Sequence, residues 1–177
     1  MRIALTGGIA CGKSLAAGYL RELGFETIDA DDIVHRLVPA GERRRLAKTV
    51  FRDEKARRAL EARIHPPVRA AIDEFLSRPG RRIAVVPLLF EVRWDENYDI
   101  ICCVKSEKEK QILRMTTTRG YTREEAEARL AAQMPVEEKA AKSHYVIEND
   151  GSAEELKASV AAFARWLERR TEKQTER

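Results

Sequence analysis

The eight residues from Gly7 to Ser14 fit the phosphate-binding pattern G-x-x-x-x-G-K-[ST], and they come directly after the apolar run Ile3–Leu5. Glycines let the backbone curl so that its N–H groups surround phosphate oxygens, and the following helix adds the partial positive charge of its N-terminus. The motif predicts a nucleotide site in which Lys13 reaches the β and γ phosphates and the Ser14 hydroxyl binds Mg²⁺. The alternative is a glycine-rich turn that binds nothing. The strand before the motif and the helical pattern after it favour the nucleotide site.

Short β-type segments alternate with helical ones along the chain, whose 177 residues suit one α/β domain. Strands that are separated by helices predict a parallel sheet with helices on both faces, so the predicted fold class is α/β with a five-stranded parallel sheet. The strand candidates are Arg2–Thr6, Glu26–Ile28, Arg82–Val86, Asp99–Val104 and Tyr145–Ile147.

Local signals predict where several helices start and stop. We expect Gly24 to end the first helix in a left-handed conformation and Gly120 to break a later one. His65 precedes Pro66 and Pro67, which predicts a rigid break between helices at this point. Capping boxes, in which a Ser or Thr precedes a Glu by three positions, are predicted for Ser106 with Glu109, Thr122 with Glu125, and Ser152 with Glu155.

The composition indicates a globular protein in a reducing compartment. Hydrophobic residues make up 44% of the chain, which is enough for a core. No apolar segment approaches the roughly 20 residues that span a bilayer, and no signal-peptide layout is present, so we expect a cytoplasmic protein without a membrane partner. The three cysteines form neither a disulfide framework nor a paired metal motif. We expect Cys102 and Cys103 to be buried, Cys11 to be open to thiol reagents, and the chain to be a monomer.

Positive charge is concentrated in residues 36–82, which contain 14 Lys and Arg against 6 Asp and Glu. This stretch can attract a second anionic ligand, and its densest feature is the triplet Arg43–Arg45. A solvated helical face is the alternative, because residues 42–60 are mostly helix formers. Nucleic acid is disfavoured as a partner, since the stretch has no interleaved aromatic residues and matches no nucleic-acid module.

Three carboxylates follow the second predicted strand, at Asp29, Asp31 and Asp32. Ligands of parallel sheets bind beyond the carboxyl ends of the strands, so we expect these residues near the γ-phosphate. One of them can accept a proton from an acceptor hydroxyl, and another can bind a water molecule of the Mg²⁺ shell. An alternative that is compatible with this role is that Asp31 or Asp32 caps the next helix. The third strand lacks the Asp that is typical of motor-type ATPases and GTPases.

Further segments extend the phosphate-loop match along nearly the whole chain. They are Leu5–Ile9 with Gly12–Ser14, Ile28–Asp31, His65–Pro66, Val86–Glu91, Arg129–Gln133 and Tyr145–Gly151. In this order they resemble the dephospho-coenzyme A kinase family. The resemblance implies a P-loop kinase fold with a helical acceptor-side insertion and a helical lid. It also implies transfer of the γ-phosphate of ATP to the ribose 3′-hydroxyl of dephospho-coenzyme A, the final step of coenzyme A biosynthesis.

The resemblance also implies regions and site residues. Residues 1–35, 82–104 and 143–177 would form the nucleotide-binding core, residues 36–81 a shortened acceptor region, and residues 105–142 the lid. The catalytic residues would be Asp31 as the base, Lys13 and Arg119. The ATP ligands would be Gly8, Ile9, Ala10, Cys11, Gly12, Lys13, Ser14, Leu15, Arg114 and Asn149, with Ser14 also holding Mg²⁺. The acceptor contacts would be Asp31, Arg36, His65, Leu88 and Glu91.

The chain departs from the family pattern at a few positions. Arg36 stands one place beyond the usual arginine, the segment after Gly41 is shorter than usual, and Cys11 and Leu15 replace commoner residues where backbone amides bind. Contact with the acceptor and a purely structural role are equally open for His65. The rival functions are another small-molecule kinase, such as a nucleoside or nucleotide kinase, and a nucleotide-dependent switch that binds nucleic acid.

Arginines in the predicted lid are candidates for catalysis, because phosphoryl transfer depends on neutralising charge around a loose transition state. By the resemblance, Arg119 is the best placed of them. For Arg123 a surface ion pair with a nearby glutamate is the favoured interpretation. Structural or surface roles are expected for His144, Trp94 and Trp166.

Overall fold

A computed structural model describes the backbone of residues 1–38 and 54–175 and the side chains of residues 1–38 and 59–172. The chain divides into two compact units, Met1–Thr27 with Gly80–Arg177, and Ile28–Pro79. The predicted basic triplet Arg43–Arg45 and the shortened segment after Gly41 lie outside the described residues. No helix within the described ranges is both long enough and apolar enough to cross a membrane.

The described strands are β1 (Ile3–Gly7), β2 (Glu26–Asp29), β3 (Arg82–Val85), β4 (Ile100–Lys105) and β5 (Tyr145–Glu148). They form one sheet in the order β2-β3-β1-β4-β5. β1 pairs in parallel with β3 and β4, and β4 pairs in parallel with β5, so that Ala4 lies between Ala84 and Ile101. The predicted α/β class and the five strands are confirmed, with small differences at the strand ends.

The described helices are α1 (Lys13–Glu22), α2 (Ala30–Leu37), α3 (Glu54–Ser77), α4 (Lys108–Arg119), α5 (Arg123–Ala131), α6 (Val136–Ala141) and α7 (Ala153–Thr175). α1 ends as predicted, with Gly24 at a φ of 82°. The Gly24 N–H donates to Arg21 O and the Phe25 N–H donates to Leu20 O, both at 3.0 Å, which is the Schellman arrangement. Gly120 ends α4 at a φ of 68°, also as predicted.

The core of the first unit lies around β1 and β4. α1 and α7 pack together, α7 packs against β5, and α6 packs against β1 and β4. Every residue of β1 is buried, as is typical of a parallel strand that is covered on both faces. The fully buried side chains Leu5, Leu20 and Phe163 belong to this core. The loop between β1 and α1 therefore starts from a rigid, buried strand.

Two of the three predicted capping boxes are confirmed. Thr122 and Glu125 exchange hydrogen bonds between side chain and backbone at 3.0 and 3.2 Å, and Ser152 and Glu155 do the same at 2.6 and 3.2 Å. The box predicted at Ser106 is wrong, since its fully buried hydroxyl donates to Asn149 O at 2.7 Å. A buried hydroxyl needs a partner, and a carbonyl on another segment supplies it here.

The helix break predicted at His65 is also wrong. α3 runs through Pro66 and Pro67 without interruption and has 24 residues. The φ of proline is itself compatible with a helix, so the pair removes two backbone donors without turning the chain out of this long helix. His65 lies half-buried in the middle of α3.

Candidate active site

The turn between β1 and α1 forms the predicted phosphate loop. Gly12 directly precedes α1 with a φ of 91°, and Ala10 also has a left-handed backbone, with a φ of 57°. A side chain at Gly12 would collide with the amide nitrogen of Asn149. α1 has no side-chain cap and no acidic residue in its first turn. Its N-terminus therefore offers N–H groups and positive potential to an anion.

Side chains hold each backbone carbonyl of this loop from Gly7 to Cys11. The pairs are Lys13 Nζ with Gly7 O (3.1 Å) and Gly8 O (2.7 Å), Gln111 Nε2 with Ile9 O (2.7 Å), Arg114 Nη1 with Ala10 O (3.2 Å), and Asn149 Nδ2 with Cys11 O (2.8 Å). The N–H and C=O groups of one peptide unit point in opposite directions. Fixing the carbonyls therefore also fixes where the N–H groups of the loop point.

Asn149 connects the end of β5 to this loop. Its backbone oxygen accepts hydrogen bonds from Ser106 Oγ and from Arg114 Nη2, each at 2.7 Å, and Arg114 Nη1 also donates to Ser106 Oγ at 2.9 Å. Two residues predicted to bind ATP, Arg114 and Asn149, thus lie against the phosphate loop and support its backbone. Contact between Asn149 and the adenine stays a prediction.

Ser14 and Leu15 are exposed in the first turn of α1. An exposed hydroxyl oxygen beside a phosphate site fits Mg²⁺, which prefers oxygen ligands and keeps several of its water molecules. Within residues 1–38 and 59–172, no group of three or more His, Cys, Asp or Glu could hold a metal ion by itself. Coordination of Mg²⁺ by the Ser14 hydroxyl stays a prediction.

The thiol of Cys11 points into the core and is fully buried. Burial raises its pKa, although the nearby Lys13 ammonium acts in the opposite direction. The prediction that Cys11 is open to thiol reagents is therefore wrong. Cys102 and Cys103 are fully buried, as predicted, and burial raises the pKa of Cys103 to about 12.

The acidic turn after β2 has a different geometry. Asp29 is the N-cap of α2, and its Oδ1 accepts a hydrogen bond from the Asp31 N–H at 2.8 Å. Asp31 is exposed and lies inside α2, at its second position, so it is not the N-cap. The capping alternative for Asp31 is wrong, because Asp29 has that role. Arg36, predicted to contact the acceptor, is exposed in the last turn of α2.

The segment after β3 carries two predicted acceptor contacts, Leu88 and Glu91. Leu88 is 41% exposed, whereas Glu91 Oε1 lies 2.7 Å from the ammonium of Lys139 on α6. Sequence reasoning missed both Lys139 and Gln111. Lys139 lies in a charged helical segment that is typical of a solvated surface. The available signal for Gln111 was its place on the same helix face as Ile112 and Met115, which are buried.

The arginines of the predicted lid differ in their surroundings. Arg119 is exposed in the last turn of α4. Arg123 lies 2.7 Å from Glu109 and 3.0 Å from Glu127, so its predicted ion pair is confirmed. A cavity of about 280 Å³ opens between the phosphate loop and this region, and its lining includes Gly8, Ile9, Leu130, Met134 and Val136.

The residues predicted to be structural have such contacts. His144 Nδ1 accepts a hydrogen bond from the Ile101 N–H at 3.0 Å. Trp166 packs against Tyr145 with ring centroids 5.1 Å apart, and Trp94 is buried.

The model of the dephospho-CoA kinase family matches residues 1–43 and 39–155 of this chain. The chain belongs to the dephospho-CoA kinase family. A dephospho-CoA kinase from Symbiobacterium thermophilum is 41% identical over an alignment of 187 positions, which spans 90% of this chain and 78% of that protein. The crystal structure of TT1252 from Thermus thermophilus has a TM-score of 0.80 at 36% identity and covers 94% of this chain and 97% of that one.

A shikimate kinase from Bacteroides thetaiotaomicron shows the fold alone, with a TM-score of 0.61 at 19% identity over 95% of this chain and 98% of that one. The predicted P-loop kinase fold is confirmed. The predicted family is confirmed as well. With it, the predicted kinase activity in the final step of coenzyme A biosynthesis is confirmed. The rival functions, a nucleoside kinase and a nucleic-acid switch, are not favoured.

Proposed function

We propose that this chain transfers the γ-phosphate of ATP to the ribose 3′-hydroxyl of dephospho-coenzyme A by in-line attack. The observation that carries this proposal is the phosphate loop. Side chains hold its carbonyls, and the N-terminus of α1 has no cap of its own. Membership in the family supports the choice of donor and acceptor.

Four residues have the main roles in the proposed reaction. Lys13 compensates the charge of the β and γ phosphates, and Asp31 accepts or guides the proton of the attacking hydroxyl. Arg119 neutralises charge on the transferring phosphoryl group. The Ser14 hydroxyl holds Mg²⁺. When bound, Mg²⁺ would supply positive charge that stabilises the negative charge developing on the phosphate oxygens.

The remaining predicted contacts belong to the same proposal. The backbone from Gly8 to Leu15 binds the phosphates, and Arg114 and Asn149 complete the nucleotide site. Acceptor contacts are proposed for Arg36, His65 and Leu88. Residues 36–81 are proposed as the acceptor region and residues 105–142 as the lid over ATP.

The test is a coupled assay of ADP release with ATP and Mg²⁺ against dephospho-coenzyme A, a panel of nucleosides and nucleotides, and oligonucleotides. We expect dephospho-coenzyme A to be the preferred acceptor by kcat/KM, with the new phosphate on the 3′ position by ³¹P NMR. Faster turnover of a nucleoside, or stimulation by oligonucleotides alone, would contradict the proposal.

We further propose that the enzyme acts in the cytoplasm as a monomer. The family's use of ATP and the three free thiols support this location. Sedimentation velocity at assay concentration tests the oligomeric state, and a concentration-dependent larger species would contradict it.

A further inference from the structure

Lys139 on α6 carries a fully buried ammonium group. It lies 2.7 Å from Glu91 Oε1 and donates a hydrogen bond to Pro87 O at 2.8 Å. Burying a charge is costly unless it is paired and hydrogen-bonded. Apolar residues of similar volume often give equal or greater stability at such positions. A gain in stability is therefore not a sufficient explanation for this ion pair.

The pair joins three segments of the first unit. Glu91 Oε1 also accepts a hydrogen bond from the Met134 N–H at 3.1 Å, just before α6. Pro87 O also accepts one from the Thr6 hydroxyl at 3.4 Å, at the end of β1. Lys139 and Glu91 therefore fix the backbone after β3 relative to β1 and to the start of α6.

One end of this arrangement lines a cavity beside the phosphate loop, and the other end precedes an exposed apolar side chain. Met134 lines the cavity of about 280 Å³ whose walls also include Gly8 and Ile9. Leu88 directly follows Pro87, and its large apolar side chain is 41% exposed. The pair thus sets the position of a cavity wall and of an apolar side chain near the carboxyl end of β3.

We propose that Lys139 and Glu91 are positioning residues that orient the acceptor relative to the phosphate loop. The inference rests on the proposed function, since it assigns the Pro87–Leu88 segment to the acceptor side. Glu91 then acts through Lys139 and the Met134 N–H rather than by touching the acceptor. This differs from the direct acceptor contact that the sequence predicts for Glu91.

The experiment compares Lys139→Met with the double variant Glu91→Leu/Lys139→Met. The matched control is Lys157→Met, which breaks an ion pair of the same 2.7 Å length between two exposed residues, Lys157 and Glu22. For each variant we would measure the melting temperature, kcat, the KM for ATP and for dephospho-coenzyme A, and ATP hydrolysis without an acceptor.

Lys139→Met should lower the melting temperature, because it leaves a carboxylate with a buried oxygen and no cation. The double variant should regain stability relative to Lys139→Met, since it removes both charges. Its kcat/KM for dephospho-coenzyme A should nevertheless stay about 10- to 100-fold below wild type, as expected when reacting groups are misplaced. The KM for ATP and acceptor-free hydrolysis should match wild type, and Lys157→Met should behave as wild type throughout.

Recovery of acceptor kcat/KM together with stability in the double variant would overturn the inference, because the pair would then be only structural. An equal rise in the KM for ATP would also overturn it, since the effect would then pass through the phosphate loop. Failure of the wild-type protein to phosphorylate dephospho-coenzyme A would instead contradict the proposed function. The same criteria would then be applied with the acceptor that the panel identifies.

Discussion

The turns after β1 and after β2 both lead from a strand into a helix, yet they satisfy the helix N-terminus in different ways. α1 follows Gly12, which offers no capping side chain, and no acidic residue lies in the first turn. α2 follows Asp29, whose carboxylate accepts the Asp31 N–H, and two more aspartates lie in its first turn. The N-terminus of α1 is left without a side-chain cap and stays open to an anion, whereas α2 is capped by the Asp29 carboxylate.

This difference separates two kinds of chemistry along the chain. A carboxylate in the first turn of α1 would repel phosphate, so anion binding requires the uncapped turn. In α2 the capping role of Asp29 leaves the exposed carboxylate of Asp31 available as a proton acceptor. The comparison teaches that the residue before each helix decides whether the helix N-terminus stays open to an anion, as in α1, or is capped by the protein, as in α2.

The largest expected effect comes from replacing Lys13, the cation at the turn after β1. Lys13→Ala should lower kcat by about 10⁴-fold, since groups that neutralise charge in phosphoryl transfer contribute about 10³- to 10⁵-fold. The protein should stay folded but melt at a somewhat lower temperature, because Lys13 Nζ also donates to Gly7 O and Gly8 O. Steady-state kinetics and a thermal melt check both expectations, with Lys157→Ala as the control. An unchanged kcat would contradict the assignment of the nucleotide site to this turn.

The second expected effect tests Asp31 as the base, at the turn after β2. Asp31→Asn should lower kcat by about 10²- to 10³-fold, because an amide cannot accept the proton. Stability should be retained, since Asp29 remains as the cap. Asp32→Asn is the matched control, because it removes the same charge one position away. Equal losses in the two variants would indicate an effect of charge alone and would argue against a base at position 31.

A smaller effect is expected when a side chain that supports the phosphate loop after β1 is replaced. Gln111→Leu removes the side-chain donor of the Ile9 carbonyl, in a hydrogen bond that is partly buried, and leaving such a group without its partner costs up to about 3 kcal/mol. We expect the KM for ATP to rise about tenfold or more, which corresponds to 1.4 kcal/mol. The acceptor KM measured at saturating ATP should change little. Leu113→Ala, at an exposed position of the same helix, is the control. An ATP KM equal to that of wild type would show that the loop keeps its shape without this bond.

The smallest effect on activity is expected at the cap of α2. Asp29→Ala should reduce the free energy of unfolding by about 1 kcal/mol, and Asp29→Asn should restore most of it. kcat should change little in either variant. Urea unfolding and the kinase assay measure the two quantities. If Asp29→Asn lost more activity than Asp31→Asn, the two aspartates would exchange the roles assigned to them here.

The parts of the structure that follow from neighbouring residues were predictable. The strands, the phosphate motif and the Schellman end of α1 depend on short stretches such as Gly7–Ser14 and Leu20–Phe25. Within such stretches, glycine conformation and hydrogen bonds between nearby residues leave few alternatives. The family resemblance rests on the same kind of local signal.

The supports of the site were not predictable, because their partners lie far away in sequence. Gln111 contacts a carbonyl 102 positions away, and Lys139 contacts one 52 positions away. Ser106 has the spacing of a capping residue, but its hydroxyl donates a hydrogen bond to the Asn149 carbonyl, 43 positions away. The inward thiol of Cys11 likewise depends on how the loop lies on the core. In each case packing decides where a polar side chain finds its partner.

The burial of the three cysteines has a consequence for an enzyme whose acceptor ends in a thiol. Exchange between a thiol and a disulfide requires an accessible thiolate on one partner. Cys11, Cys102 and Cys103 are fully buried, and burial raises the pKa of each thiol. Oxidised forms of dephospho-coenzyme A or of its product therefore find no thiolate on the folded enzyme with which to form a mixed disulfide. The protein can bind a thiol substrate without forming a disulfide bond to it.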